Sequence, residues 1–276
     1  MSIGTIIQEV EKSNDKAQVN QSEDYWYHIA APGDIDGWVF GGLIAPFDPT
    51  RREEIYQRIA AEQLRAAKTD FDDQIDLVSF LKRAAFETKQ PAIVAELELG
   101  YLLAIRRALE LMPSDKLKQS SFPPLLEEQA EQHLIFYNEP NGQWIVSSSQ
   151  FWELHKKYQT LPIGDQIAYE GARNLLGGEC EGSLPCNLSA INLTSGKYLV
   201  FYPQGGAHTE EVLTAIDDSL KSYLTTYSVE PNERADLRRE IDKLRATVMK
   251  TSSTQKNAIL RQLDQLASRT SGEKGR

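Results

Sequence analysis

A mainly α-helical protein with a small β module at its front is the fold class predicted for this chain of 276 residues. Three observations predict it. Aromatic and β-branched residues alternate within positions 1–46, as a pleated, half-buried surface requires. Beyond a proline-containing linker the apolar period changes from 2 to 3.6. Near the C-terminus, Leu237, Ile241, Leu244 and Val248 recur at spacings of four, three and four, a helical seam.

Composition sets the limits. Charged residues are 25% and hydrophobic ones 41%, an ordinary balance for a soluble globular chain. The net charge of −10 argues against a nucleic-acid surface, which needs clustered Lys and Arg. No apolar run approaches the roughly 20 residues that a membrane span requires. Met1-Ser2-Ile3-Gly4 lacks the basic and apolar regions of a signal peptide.

Along the chain, Gly4 to Val10 is expected to form a first strand, followed by a polar excursion from Lys12 to Asn20. Tyr25-Trp26-Tyr27-His28-Ile29 and Gly37-Trp38-Val39-Phe40 are the next two strands, joined by a Pro32-Gly33-Asp34 turn. Alternation puts Tyr27 and Ile29 on one face of the sheet and Trp26 and His28 on the other. These two segments, ending in Gly41-Gly42-Leu43-Ile44, resemble the closing half of a bacterial SH3 module.

That resemblance implies a ligand-binding module without chemistry of its own. Its candidate contacts are Tyr25, Trp26, Trp38 and Phe40, and its ligands a protein or a peptidoglycan peptide. Trp26 takes the place of a groove-lining Trp, whereas Leu43 stands where a Tyr would complete a polyproline groove. The competing reading is that Trp26 and Trp38 stack across the sheet and cover its core. About a third of such a module is expected to precede Gly4. Either the gene start is assigned late, which would also remove a signal peptide, or a neighbouring element covers the open edge.

The linker Ala45-Pro46-Phe47-Asp48-Pro49-Thr50 ends the β module, and a helical body spans 51–228. Ile55, Ile59 and Ala67 mark its first helix; Phe71, Ile75, Val78, Leu81 and Ala85 mark the second. Asp70, Asp72 and Asp73 favour the start of that second helix. Pro91 opens a long third helix whose apolar stripe is wide enough to bury two faces. Leu125 to His133 is expected to be helical. A hairpin near 134–147 turns at Asn141-Gly142. Further helices are expected from Phe151-Trp152, over Ile163 to Leu176, and over Ala190 to Tyr202.

Gly196-Lys197-Tyr198-Leu199-Val200-Phe201-Tyr202-Pro203, with the following His208 to Val212, resembles the helix–turn–helix joint of tetratricopeptide-type repeats. No second copy recurs at the period an array needs, so the resemblance implies helical hairpins. A C-terminal helical hairpin over 230–268 is interrupted at Thr251 to Thr254, and a dimerising long helix is its alternative. A disordered tail covers 269–276.

Cys180 and Cys186 are separated by five residues that include Gly, Ser and Pro. No further cysteine completes a zinc site, and the spacing is not that of a redox pair. A small structural disulfide is favoured over two unrelated thiols, and it implies an oxidising compartment. A periplasmic or envelope location is expected on that basis. A cytoplasmic one is expected instead if the start is correct and both thiols are free.

No phosphate loop, nucleophile elbow, dinucleotide fingerprint or metal pair of histidines is present, so no cofactor or metal is expected. His28, His133, His155 and His208 are scattered, and His208 is expected at the surface. The reading is a non-enzymatic binding or scaffold protein of a bacterial envelope. The alternative is a cell-wall hydrolase, or an accessory enzyme of that kind, whose site the motifs do not disclose. The segment 1–46 alone is expected not to fold, because it buries too little surface. Circular dichroism of that isolated segment should give no cooperative thermal transition.

Overall fold

A computed structural model of the protein describes residues 2–66, 70–174 and 176–270. The protein is mainly α-helical, with a small antiparallel sheet at its N-terminal end. It divides into two compact units, Met1–Ala104 and Ile105–Arg276.

In the first unit, β1 (Gln8–Val19), β2 (Ser22–Ala31) and β3 (Ile35–Phe40) form a three-stranded meander in the order β1-β2-β3. The expected first strand is displaced. Residues 2–5 make a turn, with the Thr5 N–H and Oγ1 both donating to the Ser2 carbonyl at 3.2 and 2.7 Å. Gly4 adopts φ 69° there, and a Cβ on it would lie 2.5 Å from the Phe80 ring. Only glycine combines that conformation with that approach. The supposed polar excursion Lys12 to Asn20 is instead most of β1, paired with β2 through two register irregularities. Nearly all of β1 is solvent-exposed, so the ladder rather than a buried face specifies it.

Three helices complete the unit. α1 (Arg52–Arg65) buries Tyr56 and Ala60, and Ala67, expected to extend its face, lies outside the described residues. The acidic cluster at the start of α2 (Phe71–Glu87) is a capping box. Asp70 Oδ1 accepts from the Asp73 N–H at 2.9 Å, and Asp73 Oδ2 from the Asp70 N–H at 3.4 Å. Leu77, Val78, Phe80, Leu81 and Ala84 of α2 are buried. α3 (Pro91–Glu110) begins at the expected proline and contributes Leu97 and Leu99 to this unit.

The second unit contains the end of α3, then α4 (Pro124–Glu131) and a hairpin of β4 (Ile135–Asn138) and β5 (Gln143–Val146). Gly142 closes the hairpin turn at φ 62°, ψ 31°, the left-handed conformation that Asn-Gly turns supply. Next come α5 (Ser148–Tyr158), α6 (Gly164–Arg173), α7 (Leu184–Leu193), α8 (Ser195–Phe201) and α9 (Thr209–Thr226). The chain ends in α10 (Arg234–Val248) and α11 (Lys256–Thr270), and the tail from residue 271 lies outside the described residues.

A single expected helix over Ala190 to Tyr202 is broken in two. Thr194, at φ −113° and ψ −93°, turns its Oγ1 back to the Ala190 carbonyl at 2.7 Å, and the helix restarts at Ser195. The C-terminal pair forms the hairpin alternative. Leu237, Ile241, Leu244 and Val248 are all 0% exposed, in one apolar cluster with Leu188 of α7, Leu199 of α8, Leu213 and Leu220 of α9, and Leu263 of α11. The seam is therefore buried within the chain.

Shortening a seam residue should cost more than any surface change. Leu244→Ala leaves a methyl-lined void and is expected to destabilise the protein by about 2–5 kcal/mol. Urea denaturation followed by circular dichroism measures it; a loss below about 1 kcal/mol would mean the cluster collapses around the gap.

Candidate functional site

The sheet carries the aromatic residues singled out in the sequence. The β2–β3 register places Trp26 opposite Phe40 and His28 opposite Trp38, so these four side chains share one face. Trp26 meets Phe40 edge-on, with ring centroids 5.7 Å apart, and Trp38 lies 5.2 Å from His28. The two tryptophans sit on a diagonal of the ladder, each paired with another ring. Trp26 is 36% exposed and Trp38 50%, while Phe40 is buried. His28 Nε2 lies 2.9 Å from Asp36 Oδ1, which fixes the ring beneath Trp38.

Tyr25 is separated from the other three. It projects from the opposite face, together with Tyr27 and the buried Ile29. The Lys12 ammonium lies 3.7 Å from its ring centroid, a cation–π contact made by β1. Leu43, in a 3₁₀ turn at Gly41–Leu43, is 78% exposed. The sheet thus offers a two-sided surface: Trp26, His28 and Trp38 on one side, Tyr25 with Lys12 on the other.

A second concentration of polar chemistry lies in the C-terminal unit, and no motif marks it. Asp165 of α6 accepts a hydrogen bond from the Tyr198 hydroxyl at 2.5 Å and another from the Ala207 N–H. Burial, then the bond to Asp165, raises the Tyr198 pKa well above that of a free phenol. Tyr202 is pushed up to about 12, first by burial and then by the Asp165 charge. Its hydroxyl lies 3.1 Å from Nε2 of His155, which is 1% exposed. Burial, reinforced by the Lys197 charge and opposed by Asp165, lowers the His155 pKa.

His208 is half-buried rather than a free surface residue. It stacks on Tyr169 with centroids 4.0 Å apart and planes 8° from parallel, and its Nε2 lies 2.8 Å from Gln166 Oε1. The network joins α6, α8 and the turn before α9. Gly206 permits this, since a Cβ there would stand 2.5 Å from the Tyr198 hydroxyl and 2.6 Å from Asp165 Oδ2. The contacts tie α6 to α8 and to the turn before α9. Among the described residues, no group of His, Cys, Asp and Glu is arranged to hold a metal ion.

A disulfide ties Cys180, in the loop between α6 and α7, to Cys186 in the first turn of α7, with Cα atoms 5.3 Å apart. Gly178 and Gly182 both have positive φ within that loop. Among the described residues, no helix is long and apolar enough to cross a membrane. Comparison with models of protein families, with curated proteins and with solved structures finds no match.

The depressed His155 pKa carries a definite sign. Below pH 6.5 an unfolded chain takes up a proton that the folded ring resists, so acidification from neutrality should reduce stability. Protonation would also place a second cation near Lys197. Urea midpoints measured from about pH 7.5 down to about pH 5.5 should fall for the native protein. The fall should be shallower for His155→Phe, and parallel curves would show that His155 does not carry it.

Proposed function

We propose that the chain is a non-enzymatic binding protein whose N-terminal sheet, a partial bacterial SH3-like module, takes a peptide ligand on its aromatic face. The observation that carries this reading is the pair of partly exposed tryptophans, Trp26 and Trp38, held on one face by Phe40 and His28. A large aromatic side chain left partly in water keeps apolar surface that a ligand can bury, and one held in place by its neighbours is preorganised for that contact. With only two χ angles each, these rings lose little entropy on contact.

The ligand class is a peptide, from a protein partner or from the cell wall. Flat rings pair with the apolar stems and backbone of an extended chain, and the neighbouring His28–Asp36 pair supplies polar contacts at the edge. The disulfide between Cys180 and Cys186 supports an extracytoplasmic home of the bacterial envelope type. The helical hairpins of the C-terminal unit, including the joint from α8 to α9, serve in this reading as a scaffold.

The test uses the full chain with two probes: purified peptidoglycan sacculi in a sedimentation assay, and an array of proline-rich and wall stem peptides. Trp38→Ala and Trp26→Ala should each weaken retention by about tenfold or more, the range of an aromatic anchor. Both side chains are partly exposed, so circular dichroism should report an intact fold. Absence of binding to either probe, or binding indifferent to both substitutions, overturns the reading.

A further inference from the structure

A separate feature of the C-terminal unit points to a second binding site. Among the described residues β5 has a single neighbouring strand, β4, so no strand pairs with its other edge. The direction of its backbone groups can be read from the ladder. The Ser147 N–H donates to the Leu134 carbonyl at 2.7 Å, which makes 134 and 147 a hydrogen-bonded pair. In an antiparallel ladder such pairs alternate with pairs whose polar groups turn outward. Val146, opposite Ile135, is therefore outward-turned, and so is Trp144, opposite Tyr137. The Val146 carbonyl confirms the direction, since it accepts from Asn174 Nδ2 at 2.8 Å on the side away from β4.

A cavity of about 180 Å³ runs along that edge. All four residues of β5 line it, with Asn174 at one end and Arg106, Glu110 and Arg173 around it. The Asn174 amide already makes the kind of bond that a neighbouring strand would make. The Trp144 N–H and C=O present the next such pair of groups along the same wall.

The charges around the cavity differ in how firmly they are held. Glu170, with its side chain 7% exposed, accepts from Arg106 Nη2 at 2.7 Å and from Gln166 Nε2 at 3.0 Å. Arg173 reaches the same carboxylate only at 3.7 Å, and its side chain is 56% exposed. Its guanidinium is the cation at the mouth with donors to spare, whereas Glu110 is exposed to solvent. We propose that the free edge of β5 binds an extended peptide segment as an added strand, with an acidic side chain of that segment paired to Arg173. Main-chain bonds to Trp144 would supply affinity, and the guanidinium fork would supply the preference for a carboxylate.

This site is distinct from the aromatic face of the N-terminal sheet, and the two readings fail on different residues. The experiment uses the full chain and an immobilised set of hexapeptides of Val and Thr, with one Glu placed at each position in turn. Matched sets carry Lys in place of Glu, or N-methylated peptide bonds. Retention should favour Glu peptides over Lys peptides by at least tenfold at one or two positions, and N-methylation should abolish it. Arg173→Ala should remove the Glu preference, and Arg173→Lys should restore part of it, with circular dichroism unchanged in both. Equal retention of Glu and Lys peptides, survival of binding after N-methylation, or a Glu preference that persists in Arg173→Ala would each overturn the proposal.

Discussion

The C-terminal unit depends on the burial of the α10 seam. Four aliphatic side chains with no exposed surface must be enclosed on every side, and no single neighbour can do this. α7, α8 and α11 pack against the seam, and α9 joins the same cluster through α8 and α11. That requirement sets the breaks in the chain. α7 and α8 lie on the same cluster along different lines, so the backbone must turn at Thr194, where a hydroxyl bonded to the Ala190 carbonyl satisfies the helix end. Likewise Thr251 to Gln255 must reverse the chain for α11 to return, and Thr251 Oγ1 closes the end of α10 by donating to the Val248 carbonyl at 2.8 Å.

Polar groups brought along by that packing have to find partners. Tyr198 is fully buried on α8, and its hydroxyl is satisfied by Asp165. The carboxylate in turn draws in the Ala207 N–H, which shapes the turn that launches α9. His155 and Tyr202 share one further contact at the border of the cluster. Burial favours the protonated form of the two tyrosines and the neutral form of the histidine, each facing a partner in the fold.

What the sequence disclosed follows physical range. Features written in local spacing were legible: the seam of α10, the acidic cap of α2, Pro91 at the head of α3, and the Asn-Gly turn of the β4–β5 hairpin. Cys180 and Cys186 were legible as a pair because only short loop chemistry separates them. β1 was not, because almost every residue from Gln8 to Val19 faces water and no alternation records its pairing. The Asp165–Tyr198 bond spans 33 positions and the cavity beside β5 draws on residues from 106 to 174, so neither leaves a motif. Among the aromatic residues, membership of a face was legible by parity. Which ring meets which was set by the turn at 32–34, and that register puts Trp26 against Phe40 rather than Trp38.

The sheet's own energetics bear on what it is for. Within β1 to β3, Ile29 and Phe40 are the buried hydrophobic residues, one on each face. Two such residues cannot anchor three strands of this length, so the sheet relies on its backbone ladder and on its attachment to helices in its unit. Part of that attachment is visible: Arg83 Nη2 donates to the Ile3 carbonyl at 3.0 Å, and Gly4 packs on Phe80, both on α2. The start of the chain and the strand pairing therefore contribute to the sheet's stability alongside the buried parts of Trp26 and Trp38. Trp26 and Trp38 keep 36% and 50% of their surface in water, so it is the exposed part that a ligand would cover, and a measure of folding beside each substitution separates the cost to binding from the cost to the fold.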